Sequence, residues 1–175
     1  LRHIVVRDVE GNFIITAVTA AETLPQSELL IKKLAVKFKT FSLWQNHNPG
    51  EGNGVFGEKF RLLCGSGKYA AHEFGIRFEV GPNTFVQVNR GVCRKLYERT
   101  VRCALESGAS VAIDAYSGCG LLTAMLAKQM GEAYGIEVVR EAVDCADSLI
   151  SINKLEGKMH NICGRVEDEL PKLLS

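Results

Sequence analysis

Nowhere in this 175-residue chain do about 18 apolar residues follow one another, which excludes a transmembrane helix. The opening residues, LRHIVVRDVEGN, carry charge too early to leave room for the apolar core of a secretory signal. They start without Met and read as a strand already under way, so the chain is expected to be a piece of a longer protein. Six cysteines stand at 64, 93, 103, 119, 145 and 163, but no two form C-x-x-C and no His falls at zinc-finger spacing. No metal site is expected, and the four His form no cluster. In a chain rich in aliphatics the cysteines read as reduced, small core residues of a cytoplasmic protein. An excess of one charge is also missing. The 21 Lys and Arg nearly balance 20 Asp and Glu, and a net charge of +1 neither marks nor excludes a nucleic-acid partner. Residues 1–78 hold ten basic against seven acidic residues, and residues 79–175 eleven against thirteen. That asymmetry weakly favours the first part for contact with a polyanion. No repeats and no low-complexity tracts occur.

What is present is ordinary globular material, 46% hydrophobic and 23% charged, enough for one or two small domains. HIVVRDV and FIITAVTA flank Glu10-Gly11-Asn12 and predict a hairpin. LPQSELLIKKLAVKF has helical spacing, TFSLWQN reads as a strand, and HNPGEGNGVFGE as a loop. KFRLLCG and IRFEVG are further strands, with SGKYAAHEFG separating them. Strands around one helix, without βαβ rhythm, predict a small α+β domain over residues 1–78. After Pro82 the rhythm changes. A helix, RGVCRKLYERTVRCALESG, stops at Gly108; SVAIDAY is a buried strand ending at Asp114; LLTAMLAKQM is a short helix and EAYGIEV a second strand. VVREAVDCADSLISIN puts Val139, Ala142, Val143, Ala146, Leu149 and Ile150 on one helical face. KMHNICG is a third strand and VEDELPKLLS begins another helix. The fold class is therefore α/β over residues 79–175: three parallel strands with helices, the first half of a Rossmann-like, doubly wound sheet.

In such sheets ligands lie beyond the carboxyl ends of the strands. Asp114 ends the first strand, and Gly118 and Gly120 let backbone approach a ligand near a helix N-terminus. Glu137 ends the second strand seventeen positions after Gly120. A carboxylate there can accept both hydroxyls of a ribose. Together these features describe a nucleoside-shaped ligand across two strand ends. A dinucleotide fingerprint would need a third glycine where Thr123 stands. The pattern D-x-x-x-G-x-G instead resembles that of S-adenosylmethionine-dependent methyltransferases, whose ligand has no pyrophosphate.

FVQVN at residues 85–89, IDAYSGCG at 113–120 and YGIEVVREAVDCADSLISIN at 134–153 make the resemblance specific. The chain resembles the class I RNA uracil-C5 methyltransferases, which form 5-methyluridine in ribosomal or transfer RNA. LRHIVVR, NHNPGEGNGVFGE and FGIRFEVGPNTFVQVN are similar to that family's central domain and its approach to the catalytic domain. The resemblance implies S-adenosylmethionine as cofactor and RNA as partner, with no membrane association. It implies that Gln87 hydrogen-bonds the methionine part of the cofactor, with donor and acceptor on one amide. Tyr116 and the backbone from Gly118 through Gly120 to Leu121 would line the cofactor, Leu121 by main chain only. Glu137 would take the ribose hydroxyls, and Asp114 would orient the glycine loop. In the family a Cys nucleophile lies in a Ser-Cys-Asn segment, followed by a Glu base; neither occurs up to Ser175. Cys119 is expected to be a packing residue. This stretch alone is expected not to methylate. Some family members hold an iron–sulfur cluster; the cysteine spacing here gives none.

Other candidates carry less. CGSGKY lacks the first glycine of a phosphate loop, with Leu62 in its place, and Tyr69 stands where Ser or Thr is required. Arg94, Lys95, Arg99 and Arg102 form either a solvated helix flank or an RNA phosphate contact. Phe38, Phe41 and Trp44 suit a core better than base stacking. Two rivals stand beside the methyltransferase reading: a nicotinamide-dependent oxidoreductase, and a non-catalytic RNA-binding module.

Overall fold

The computed structural model describes residues 1–84 and 89–174, with only the backbone of Arg90. Gln87 and most of the FVQVN segment lie outside the described residues. Two compact units are present: Leu1–Ala71 with Glu79–Asn83, and His72–Phe78 with Thr84–Ser175.

The first unit is built on a four-stranded sheet. Strands β1 (His3–Val9) and β2 (Asn12–Thr19) form the expected antiparallel hairpin. Glu10 and Gly11 both have positive φ, 53° and 84°, the turn geometry whose twist matches flanking strands. The Gly11 N–H donates to Asp8 Oδ1 at 2.8 Å and closes the turn. Helix α1 (Ser27–Lys37) then carries the chain to β3 (Phe41–His47), which pairs with β2 in parallel. This corrects the expectation that the region has no βαβ rhythm. The helix itself is legible from its spacing; the parallel direction of the β2–β3 pairing, which makes the unit a crossover, is not. β4 (Lys59–Cys64) returns antiparallel to β3, giving the order β1-β2-β3-β4. From Ile14 to Thr19 every residue of β2 is buried, as expected of an inner strand covered on both faces. Phe38 sits against Phe13 and Phe41, with ring centroids 4.7 and 6.4 Å away. Asn46, fully buried, holds the 48–58 loop: its Nδ2 donates to the Gly57 carbonyl at 2.8 Å, and its Oδ1 accepts from the Gly57 N–H at 2.8 Å.

β5 (Tyr69–Glu73) and β6 (Ile76–Val80) form a two-stranded sheet. β5 lies within the stretch expected to be a mere separator. Its turn was disguised, because Phe74 occupies a positive-φ position (55°) ahead of Gly75 (75°), a place where an aromatic residue is uncommon.

In the second unit, Asn89 caps helix α2 (Arg90–Glu106), its side chain accepting from the Val92 N–H at 3.1 Å. Then follow β7 (Val111–Ala115), α3 (Leu121–Gln129), β8 (Glu132–Glu137), α4 (Arg140–Asn153), β9 (Met159–Cys163) and α5 (Val166–Leu173). The three strands are parallel, in the order β7-β8-β9, so the α/β expectation holds. Two details differ from the sequence reading. Among the described residues β7 lies at the edge of its sheet, with Val111 45% exposed, rather than buried. Val139 caps α4 from outside, 50% exposed, so the buried face is Val143, Ala146 and Leu149. α3 is buried from Thr123 to Ala127 and packs on both β7 and β8. Among the described residues no helix is long and apolar enough to cross a membrane.

Candidate functional site

The connection from β7 to α3 is a sharp backbone device. Tyr116, Gly118 and Gly120 all have positive φ, at 62°, 55° and 76°. The Ser117 N–H donates to the Ile136 carbonyl at 3.0 Å, extending the pairing with β8 into the turn. The Gly120 N–H returns to the Ser117 carbonyl at 3.0 Å.

The two glycines are present for different reasons. A Cβ on Gly120 would lie 2.7 Å from Ala146 Cβ and 2.9 Å from Met159 Cε. Gly120 is thus a packing glycine, wedged against α4 and β9. A Cβ on Gly118 would meet nothing within 4 Å. That side of the turn is open and can receive a ligand.

Asp114 is held from α3. Thr123 Oγ1 donates to its Oδ2 at 2.7 Å. Burial pushes the Asp114 carboxyl above its usual range, and the hydrogen bonds from Thr123 oppose that rise. Gly135 on β8 makes room for this arrangement, since a Cβ there would sit 2.9 Å from both Ser117 Oγ and Thr123 Oγ1. The aspartate therefore anchors the start of α3. Sequence reading missed Thr123 as its partner; the signal was a hydroxyl residue in place of the third glycine, nine positions after the acid.

Glu137 reaches the same turn from the tip of β8. Its Oε2 accepts from the Gly118 N–H at 2.9 Å and its Oε1 from the Val139 N–H at 2.9 Å. Each oxygen keeps a further lone pair for a ligand hydroxyl. Tyr116 is 68% exposed, and its hydroxyl donates to Glu167 Oε1 at 3.0 Å. That bond raises the tyrosine's pKa. The Glu167 carboxyl is held low, first by its own backbone N–H and then by Tyr116. Gly120 gives α3 no side-chain cap, and within the helix's first turn the Thr123 N–H is taken by the Asp114 carboxylate.

A cleft of about 180 Å³ opens beside the turn, lined by Tyr116, Gly118 and Leu121 together with Tyr97 of α2 and Leu149 of α4. Asp114, Gly120 and Glu137 do not line it. The expected site residues thus divide. Tyr116, Gly118 and Leu121 face open space, Asp114 and Gly120 hold the turn in place, and Glu137 bridges turn and strand end. Within the cleft, burial first, then the charges of Cys93, Asp114 and Glu73, push the Tyr97 hydroxyl up to about 12. Among the described residues no group of His, Cys, Asp and Glu could hold a metal ion.

No family model matches the chain. An uncharacterized RNA methyltransferase of Bacillus cereus is 33% identical over 176 residues, covering 98% of this chain and 38% of that protein. An uncharacterized RNA methyltransferase of Lactococcus lactis is 35% identical, covering 100% of this chain and 39% of that protein. The chain is a homologue of RNA methyltransferases. It spans well under half the length of these methyltransferase relatives. Among solved structures, the Pyrococcus abyssi tRNA (uracil-54, C5)-methyltransferase in complex with S-adenosyl-L-homocysteine superimposes with a TM-score of 0.68 at 20% identity. That match covers 91% of this chain and 38% of that one. It shows that this chain shares the fold of that structure; here Thr123 binds Asp114 at the place where a dinucleotide-binding turn would carry its third glycine.

Proposed function

We propose that this chain supplies the S-adenosylmethionine-binding half of an enzyme that methylates carbon 5 of a uridine in ribosomal or transfer RNA. The observation that carries the reading is the bond from the Gly118 N–H to Glu137. It joins the open glycine of the turn to the acid at the next strand tip, the two features a nucleoside ligand needs side by side. The groups present suit that cofactor. Space at Gly118 admits a ligand, and Glu137 has acceptor capacity left for ribose hydroxyls. Tyr116 and the backbone at Leu121 would flank the cofactor, and Gln87 would meet its methionine end. When bound, the cofactor supplies an electrophilic methyl group. Residues 79–175 would hold it, and residues 1–78, with their surplus of basic side chains, would help hold the RNA in the cytoplasm. The uridine chemistry needs a thiolate to add at carbon 6 and a base to remove the carbon-5 proton. The sequence motif expected for that nucleophile does not occur in this stretch, so we assign the chain cofactor binding without turnover.

Calorimetric titration tests the first step. S-adenosylhomocysteine should bind, NAD should not, and Glu137→Ala should weaken binding about tenfold, the equivalent of about one lost hydrogen bond. Binding of NAD in preference would overturn the reading. For the whole protein, release of label from RNA tritiated at uridine carbon 5 tests the reaction, with ribosomal and transfer RNA as separate arms.

A further inference from the structure

Half of the cysteines in the chain meet in one place. Cys93 of α2, Cys119 of the glycine turn and Cys145 of α4 all line the cleft of about 180 Å³. The other three, Cys64, Cys103 and Cys163, do not. A metal does not account for the gathering, since no three metal-ligating groups converge among the described residues. None of the six is in a disulfide.

The three thiols are not equivalent. Cys93 is buried, at 6% exposure, and burial first, then the nearby charge of Glu73, pushes its thiol up, which keeps it protonated and unreactive. Cys119 and Cys145 are both half-exposed. They also flank a backbone contact. Gly120 approaches α4 so closely that a Cβ on it would stand 3.3 Å from Ala146 Cα. Cys119 precedes Gly120 and Cys145 precedes Ala146, so the residues at this contact carry the two half-exposed thiols into the same cleft.

We propose that Cys119 and Cys145 are a paired modification site, closed to a disulfide by a peroxide and reopened by a dithiol. In the first step one thiolate attacks an oxygen of hydrogen peroxide. The O–O bond breaks, leaving a sulfenic acid and a hydroxide that protonates to water. In the second, the other thiolate attacks the sulfenic sulfur, the S–S bond forms, the S–O bond breaks and a second water leaves. The pair gives up two electrons and the peroxide takes them. The bond would tie the glycine turn to α4 across the cleft. The inference goes beyond the methyltransferase reading and does not depend on cofactor binding.

The test is treatment of the chain with hydrogen peroxide, alkylation of remaining thiols with iodoacetamide, and peptide mapping without reductant. The expected product is one cross-linked peptide joining Cys119 to Cys145, lost on dithiothreitol. In Cys145→Ser, Cys119 should stop at the sulfenic acid and be trapped by dimedone. A wild-type digest in which both residues are alkylated or over-oxidised without a cross-link would overturn the proposal. So would a cross-link from either thiol to Cys93.

Discussion

The contrast between Gly118 and Gly120 yields a sharp test of the turn, because the same substitution at two positions of one loop should have opposite consequences. Both have positive φ, so an alanine at either carries the left-handed penalty, roughly 1–2 kcal/mol. At Gly118 that is the whole cost, since the new methyl meets nothing within 4 Å. At Gly120 the methyl would stand 2.7 Å from Ala146 Cβ, a short side chain on the buried face of α4 that has nowhere to go. The 2.9 Å approach to Met159 Cε matters less, because that methyl can swing aside. Overpacking of this kind costs about 1–3 kcal/mol, so Gly120→Ala should lose roughly 2–5 kcal/mol in total. Urea unfolding followed by circular dichroism reads the difference as a large fall in midpoint for Gly120→Ala and a small one for Gly118→Ala. S-adenosylhomocysteine titration should reverse the order. Gly118→Ala fills the open side of the turn and should weaken binding about tenfold, equivalent to about 1.4 kcal/mol, while retaining its fold. Equal midpoints for the two variants would refute the assignment of Gly120 as a packing glycine. Unchanged affinity in Gly118→Ala would refute the assignment of Gly118 as the ligand-facing one.

Three further outcomes follow from the same contacts. Burial raises the Asp114 pKa, so the folded state holds that proton more tightly than the unfolded chain. Its contribution to stability therefore grows as pH falls through the folded pKa and turns unfavourable above it. Asp114→Asn keeps an acceptor for Thr123 and removes the charge; its urea midpoint near pH 7 should match or exceed the parent's, with a flatter profile in the window upward from about pH 4. A profile parallel to the parent's would count against this. Thr123→Val leaves Asp114 without its 2.7 Å donor and should cost about 1–3 kcal/mol. That loss should shrink in the Asp114→Asn background, which a double-mutant cycle measures. Asn153 at the end of α4 donates to the Arg77 and Leu149 carbonyls and accepts from the Arg77 N–H. Asn153→Ala should cost about 1–3 kcal/mol, and hydrogen exchange should show the Arg77 amide losing protection.

The parts of the fold that could be read from sequence are those where one physical signal acts alone. α4 announces itself because a polar and an apolar face alternate over the full helix, and Val143, Ala146 and Leu149 are indeed its buried residues. The first hairpin is legible from Glu10-Gly11 because glycine tolerates positive φ. Where two signals compete, reading fails. The Phe74-Gly75 turn puts an aromatic residue at positive φ, so β5 looked like a spacer. The β2–α1–β3 crossover went unread although its helix and both strands were legible, because the parallel pairing of β2 with β3 is set between the strands and not by the periodicity of either. Exposure of Val111 could not be read at all. An apolar strand looks the same whether or not a neighbour covers its edge, and that depends on residues far away in sequence.

The candidate site shows a deeper limit. D-x-x-x-G-x-G is a pattern of residue types; sequence alone gives both glycines to the ligand and the acid to the loop, without showing what holds any of them. The structure separates them by what each touches. Asp114 is occupied by Thr123, Gly120 by Ala146, and Glu137 by the N–H groups of Gly118 and Val139. These links fix the turn from three directions: from its own helix, from α4, and from the neighbouring strand tip. A turn with three positive-φ residues in five positions would otherwise be costly to hold in one shape. Preorganising it lowers the ordering cost that a ligand would have to meet on binding. Much of the motif's acidic and glycine content thus serves the shape of the turn, and a loss of affinity in an Asp114 variant would arise through the position of α3. That distinction can be measured. Asp114→Asn, which keeps the Thr123 bond, should bind S-adenosylhomocysteine nearly as well as the parent, whereas Asp114→Ala, which breaks it, should not. If the two variants lose affinity equally, the carboxylate's charge acts on the ligand and the positioning role assigned to it is wrong.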